Sequence, residues 1–141
     1  SSARIVGQEI HLTLCSALTK DKQNKCISAL LSRLLARIKH PILIEKINSL
    51  NEKHFKQKVN KVYFKYNKSN WGSCSNLGNI NISTRLLFAP DDVIEYVCIH
   101  ELAHLIEQNH SETFWKLVEN AMPDYQEKKQ WLKNNGANCW F

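Results

Sequence analysis

The chain has 141 residues, 43% of them hydrophobic, with 19 Lys or Arg against 13 Asp or Glu and a formal net charge of +6 at pH 7. That is enough apolar chain to bury a core without disulfide staples, and it reads as a single domain over 1–141, with a basic region over 1–68 and a second region over 69–141. No apolar run reaches membrane-span length, no charged and apolar secretory leader opens the chain, and five cysteines without a C-x-x-C pair predict reduced thiols, packed as small core residues in a cytoplasmic protein.

Alternation at Ile10, His11, Leu12, Thr13 and Leu14, punctuated by Gly7, predicts a strand or short hairpin over 4–15. Over 22–40 the residues Cys26, Ile27, Leu30, Leu31, Leu34, Leu35 and Ile38 recur at threes and fours, which predicts an amphipathic helix that Pro41 ends. A second helix is expected over 42–55, with Leu43, Ile47 and Leu50 inward and with His40 and His54 as solvated helix-end residues. Val62, Phe64 and Tyr66 form one apolar face of a strand. A turn over 67–70, the loop formers around Asn76 and Gly78, and alternation at Ile80 and Ile82 predict a hairpin. Pro90 and Asp91 suit the first turn of a helix expected over 91–107, apolar on nearly every side and so central to the fold. Ser111 is a natural N-cap for the next helix, which Met122 and Pro123 close, and Asp124 with Glu127 resembles a capping box before a last helix to Asn135. The mixture of strands and helices places the chain in the α+β class.

The most informative stretch lies in the central helix, where His100-Glu101-Leu102-Ala103-His104 is followed, after five intervening residues, by His110. Residues four apart on a helix share a face, so the imidazoles of His100 and His104 reach one ion together. With six histidines and nine glutamates in the chain, shuffling would produce roughly 0.02 copies of the five-residue pattern, so coincidence is a weak rival. Imidazoles suit several transition metals, but three of them beside a carboxylate able to act as general base favour Zn2+, with three protein ligands and one open position. His110 is the expected third ligand and Glu119 its rival. A sharp turn is needed to bring His110 back, and Asn109, which tolerates left-handed geometry, is expected to make it. The expected chemistry is peptide-bond hydrolysis, with Glu101 moving the water's proton to the leaving amine.

The chain resembles the YgjP-like metallopeptidases, which are related to the WLM and SprT-type proteases. The residues that carry this are Trp71-Gly72-Ser73-Cys74-Ser75, Gly78-Asn79-Ile80-Asn81, Arg85-Leu86-Leu87, Ala89-Pro90, the motif from His100 to His104, Asn109-His110-Ser111, Phe114-Trp115 and Met122-Pro123-Asp124-Tyr125. Thr84 departs from the aromatic residue that the family pattern leads one to expect. The resemblance implies a minimal zincin-like domain, a small antiparallel or mixed sheet packed on a central HExxH helix flanked by N- and C-terminal helices. It also implies zinc held by His100, His104 and His110, and a strand lying antiparallel to a bound peptide or protein substrate.

The strand over 79–83 is the expected peptide-binding strand, reading main chain more than side chain. Arg85, Tyr96, Tyr125 and the metal itself are candidates to stabilise the oxyanion, and Glu107 and Glu119 are candidates to orient the histidines. Charge is unevenly spread: residues 20–68 hold thirteen Lys or Arg against three acidic residues, while residues 69–110 hold one against five. The basic half raises a second possibility, weak nucleic-acid association, with a structural zinc and little or no peptidase activity as the alternative function. Glu101 discriminates, because a structural site needs no general base.

Overall fold

The computed structural model describes residues 1–138. Its elements, in chain order, are β1 (Ser2–Val6), β2 (Glu9–Thr13), α1 (Lys20–Leu50), β3 (Val62–Lys65), β4 (Gly72–Cys74), β5 (Ile80–Ser83), α2 (Asp91–Ala103), α3 (Glu112–Ala121) and α4 (Tyr125–Asn135). The class is α+β, as expected. β1 and β2 pair antiparallel as the anticipated hairpin, while the other strands form a mixed sheet ordered β3-β5-β4. In it β5 runs parallel to β3 and antiparallel to β4.

Pro41 does not end a helix. α1 is continuous through it, capped by Thr19, whose hydroxyl accepts from the Lys22 N–H at 3.4 Å, and a π-helical turn at Asn51–Phe55 extends it. An interior proline costs about 3 kcal/mol by removing one main-chain bond and crowding the preceding turn. Beyond it, Leu43, Ile47 and Leu50 are buried, and at about 1.5–3 kcal/mol per aliphatic side chain their burial outweighs that penalty. The turn before the proline is anchored as well: Lys39 Nζ donates to the Leu87 carbonyl, and His40 Nε2 donates to the Val62 carbonyl at 2.7 Å. His40 is therefore a half-buried strut in mid-helix rather than a solvated end, and His54, near the end of the π-helical turn, is half-buried too.

β3 stops at Lys65, leaving Tyr66 exposed rather than on an apolar face. β5 is buried along its whole length instead of alternating between core and solvent. Ile80 and Ile82 enter the core. On the other face Asn81 Nδ2 donates to Ser73 Oγ and Ser83 Oγ donates to the Asn67 carbonyl at 3.3 Å, so the loop after β3 covers the polar side. The hairpin joining β4 and β5 turns at Gly78, whose φ of 81° is left-handed and where a Cβ would meet the Lys58 carbonyl oxygen at 2.9 Å.

α2 is the centre of the core, packed against α1, β4, β5, α3 and α4. Val93, Val97, Cys98, Ile99, Leu102 and Ala103 on it are all buried. It ends a turn earlier than its apolar pattern predicts, at Ala103, with His104 as the capping residue. α3 begins as expected, Ser111 Oγ accepting from the Phe114 N–H at 3.4 Å. At α4 the expected capping box does not form: the Asp124 carboxylate accepts from Lys128 Nζ at 2.9 Å instead, and this holds its carboxyl below the usual range. The cysteines also differ from expectation, since only Cys98 of the four described is buried; Cys15 is exposed, Cys26 and Cys74 are half-buried, and Cys139 lies outside the described residues.

Candidate metal centre and cleft

The last turn of α2 and the segment that follows it bring His100, His104 and His110 together. Their ring centroids stand 4.9, 5.1 and 4.8 Å apart in the pairs 100–104, 100–110 and 104–110. The chain tightens immediately after the helix, Leu105 N–H donating to the Leu102 carbonyl at 3.0 Å and Ile106 N–H to that of Ala103 at 3.1 Å. Such three-residue closures are how helices commonly unwind, and no left-handed residue is needed. Asn109 is accordingly not left-handed; among the described residues Lys56 is the one non-glycine with positive φ.

One potential ligand nitrogen from each histidine lies within 4.8 Å of the others. Two nitrogens bound to one Zn2+ are at most about 4.2 Å apart, so small ring rotations bring the three into range. The donor set suits the ion chemically. The His104 Nδ1–H donates to the main-chain carbonyl of Glu107 at 3.1 Å, which leaves Nε2 with its lone pair. Orientation here comes from the Glu107 carbonyl, not from its carboxylate. His110 is held below its ordinary pKa by desolvation, and then by His100 and His104, so it too offers a neutral ring. Glu119 is exposed on α3 and joins no such group.

Phe114 supports the cluster from below. Fully buried, it stacks on His104 at 4.5 Å and meets His100 and His110 edge-on at 4.9 and 5.0 Å. Phe114→Ala is expected to cost about 3–5 kcal/mol in denaturant unfolding and to weaken zinc binding, because the rings lose their floor. Unchanged stability and unchanged zinc affinity would show that Phe114 supports neither core nor centre.

Glu101, next to His100 on α2, lines the same cleft while only 5% exposed, and its Oε1 accepts from His100 Nδ1 at 3.2 Å. Gly72 of β4 presses against it: a Cβ at that position would sit 3.1 Å from Glu101 Cγ and 2.8 Å from the Asn81 carbonyl oxygen. Only glycine lets the strand approach this carboxylate so closely. Nothing in the local pattern of residues 71–75 had flagged this role.

A cleft of about 770 Å³, within the range of ligand sites, runs between β4 and the histidines and is lined also by Tyr96, Trp115 and Lys129. Its strand differs from the one expected. β5 is central, bonded on both sides, so the strand over 79–83 has no edge to offer. β4 is the edge. Ser83 N–H donates to the Trp71 carbonyl and Ser75 N–H to that of Asn79, so by alternation Gly72 and Cys74 point their main-chain groups away from β5.

Of the oxyanion candidates, Tyr96 lines the cleft, and burial, followed by Tyr125 and Glu101, pushes its hydroxyl up to about 12. Tyr125 stands behind Trp115, stacked on it at 5.5 Å. Arg85 is directed elsewhere: it stacks on Trp71 at 4.1 Å and donates to the Lys68 and Gly136 carbonyls at 2.9 and 3.2 Å. Cys74 also lines the cleft, yet burial and then Glu101 push its thiol up to about 11, leaving on the order of one thiolate in 10⁴ at pH 7. Alkylation followed by mass spectrometry should label exposed Cys15 first, Cys74 slowly and faster as pH climbs towards 11, and buried Cys98, pushed up to about 12, only after unfolding. Native labelling of Cys98 at the rate of Cys15 would contradict this.

The family model for the YgjP-like metallopeptidase domain matches residues 4–135, almost the whole chain. The chain belongs to the YgjP-like family. Two solved structures share its fold. Abylysin of Pyrococcus abyssi, a metallopeptidase zymogen, is 24% identical with a TM-score of 0.59, over 65% of this chain and 93% of its own. Jannalysin of Methanocaldococcus jannaschii, also a metallopeptidase zymogen, is 15% identical with a TM-score of 0.57, over 66% and 95%. A comparison with curated proteins finds no match. Among the described residues of this YgjP-like chain, no helix is long and apolar enough to cross a membrane.

Proposed function

We propose that this YgjP-like chain is a zinc-dependent peptidase in which His100, His104 and His110 hold the ion and Glu101 is the general base. The observation that carries this reading is the meeting of three imidazoles, a buried carboxylate and a free strand edge in one cleft. The ion would supply Lewis acidity, making water a nucleophile near neutral pH and polarising the scissile carbonyl. The Gly72 and Cys74 main chain holds an extended peptide along β4 by hydrogen bonds, which orients the carbonyl before reaction. Glu101 accepts the attacking water's proton and delivers it to the leaving nitrogen. Tyr96 lines the cleft, and its hydroxyl, pushed up to about 12 by burial, stays protonated at neutral pH and able to donate to the developing oxyanion.

A purely structural zinc site normally closes its fourth position with another protein ligand. Among the described residues no fourth His, Cys, Asp or Glu joins the three histidines. Purified protein should therefore cleave an unstructured substrate such as casein, lose that activity to a zinc chelator and regain it when zinc is restored. Cleavage indifferent to the chelator, or none with zinc bound, counts against the reading.

A further inference from the structure

Of the residues lining the cleft, Lys129 is the one lysine or arginine, and among the described residues it makes no salt bridge. Its neighbour Lys128, by contrast, is engaged by Asp92 and Asp124 at 3.4 and 2.9 Å. Lys129 Nζ is positioned over the ring of Trp115 at 4.3 Å, and Trp115 is itself stacked on His110 at 6.0 Å and on Tyr125 at 5.5 Å. Cation–π contact with a ring fixed on both sides limits where the ammonium goes without neutralising it. A charge kept unpaired beside a reaction centre has its full attraction available for a ligand.

The fold also says which part of a substrate meets this charge. α4, which carries Lys129, lies at the end of the cleft where β4 begins: Trp71 is 3.0 Å from the position a Cβ on Gly136 would take, and Lys128 reaches Asp92 at the start of α2. The opposite end is bounded by Gln108 Nε2 donating to Asn76 Oδ1 at 2.7 Å. An extended peptide paired antiparallel to β4, the slightly more stable arrangement, has its N-terminal part at the Asn76 end and its C-terminal part at the Trp71 end. Residues that follow the scissile bond therefore approach Lys129.

We infer that Lys129 is a specificity-determining residue that receives a carboxylate on the C-terminal side of the cleaved bond. This rests on the peptidase reading above. The carboxylate comes either from an Asp or Glu side chain or from the free C-terminus of the substrate, and both make the same charge-assisted hydrogen bond.

The test is binding of fluorescently labelled peptides of one parent sequence to zinc-loaded Glu101→Gln protein. Asp or Glu is placed on either side of the bond and compared with Asn or Gln, and the C-terminus is left free or amidated. A carboxylate on the C-terminal side should tighten binding about tenfold at low salt, and the advantage should shrink as salt rises. Lys129→Met, which keeps an apolar stem over Trp115, should erase that preference, and Lys129→Glu should invert it towards basic peptides. Sensitivity to amidation assigns the carboxylate to the C-terminus, and sensitivity to Asp or Glu assigns it to a side chain. Equal binding of acidic and amide peptides, a preference on the N-terminal side, or a preference that survives Lys129→Met overturns the inference. Because binding is read without turnover, such a result leaves the peptidase reading intact, whereas a wild-type chain that cleaves nothing counts against that reading without altering the binding comparison.

Discussion

Glu101→Gln is expected to leave zinc binding and the fold in place while lowering peptidase turnover roughly 10²- to 10⁴-fold, the range for loss of a general acid or base. The amide has the carboxylate's shape, so it fits against Gly72 as the native side chain does, and Glu101 lies outside the group of nitrogens that can hold the ion. What the variant lacks is the ability to take a proton from water. If the carboxylate also positions that water, the loss is larger still. Steady-state kinetics on a quenched peptide, with zinc content measured on the same sample, check this. Equal turnover by the variant would remove Glu101 as the base and revive the alternative of a structural zinc.

The second large effect concerns His110. His110→Ala is expected to weaken zinc affinity by more than the 10- to 100-fold typical of losing a mere supporting partner of a ligand, because it deletes a donor outright. Glu119→Ala, on the exposed face of α3, is expected to bind zinc as the parent does. Competition with a fluorescent zinc chelator measures both. The reverse outcome, with affinity lost on changing Glu119 and kept on changing His110, would move the third ligand to α3.

The meeting of His100 and His104 was legible in the sequence because helical spacing alone brings them together. The return of His110 was legible as a requirement but not in its route. Leu105 and Ile106 extend the apolar pattern of α2, yet Ile106 is 45% exposed, and the His104 ring takes up the Glu107 carbonyl as the helix tightens and ends. Asn109 looked able to turn the chain, but the turn had already been made by three-residue closures at Leu105 and Ile106.

Pro41 misled for a related reason. A local rule about proline was overridden by burial of Leu43, Ile47 and Leu50, which depends on elements far away in sequence. The free strand edge beside the cleft was hidden for the same cause, since alternation predicts strands without saying which neighbours they take. The parallel pairing of β3 with β5 puts β5 in the middle and β4 at the rim. Lys129 escaped notice because its isolation from acidic partners and its position over Trp115 exist only in three dimensions.

X-ray absorption at the zinc edge of the loaded, substrate-free protein tests the central claim most directly. Three histidines and one open position predict about four light-atom neighbours at about 2.0–2.1 Å, with the multiple-scattering pattern of three imidazoles and no sulfur. A sulfur neighbour near 2.3 Å, or only two imidazoles in the shell, would contradict a catalytic site built from His100, His104 and His110.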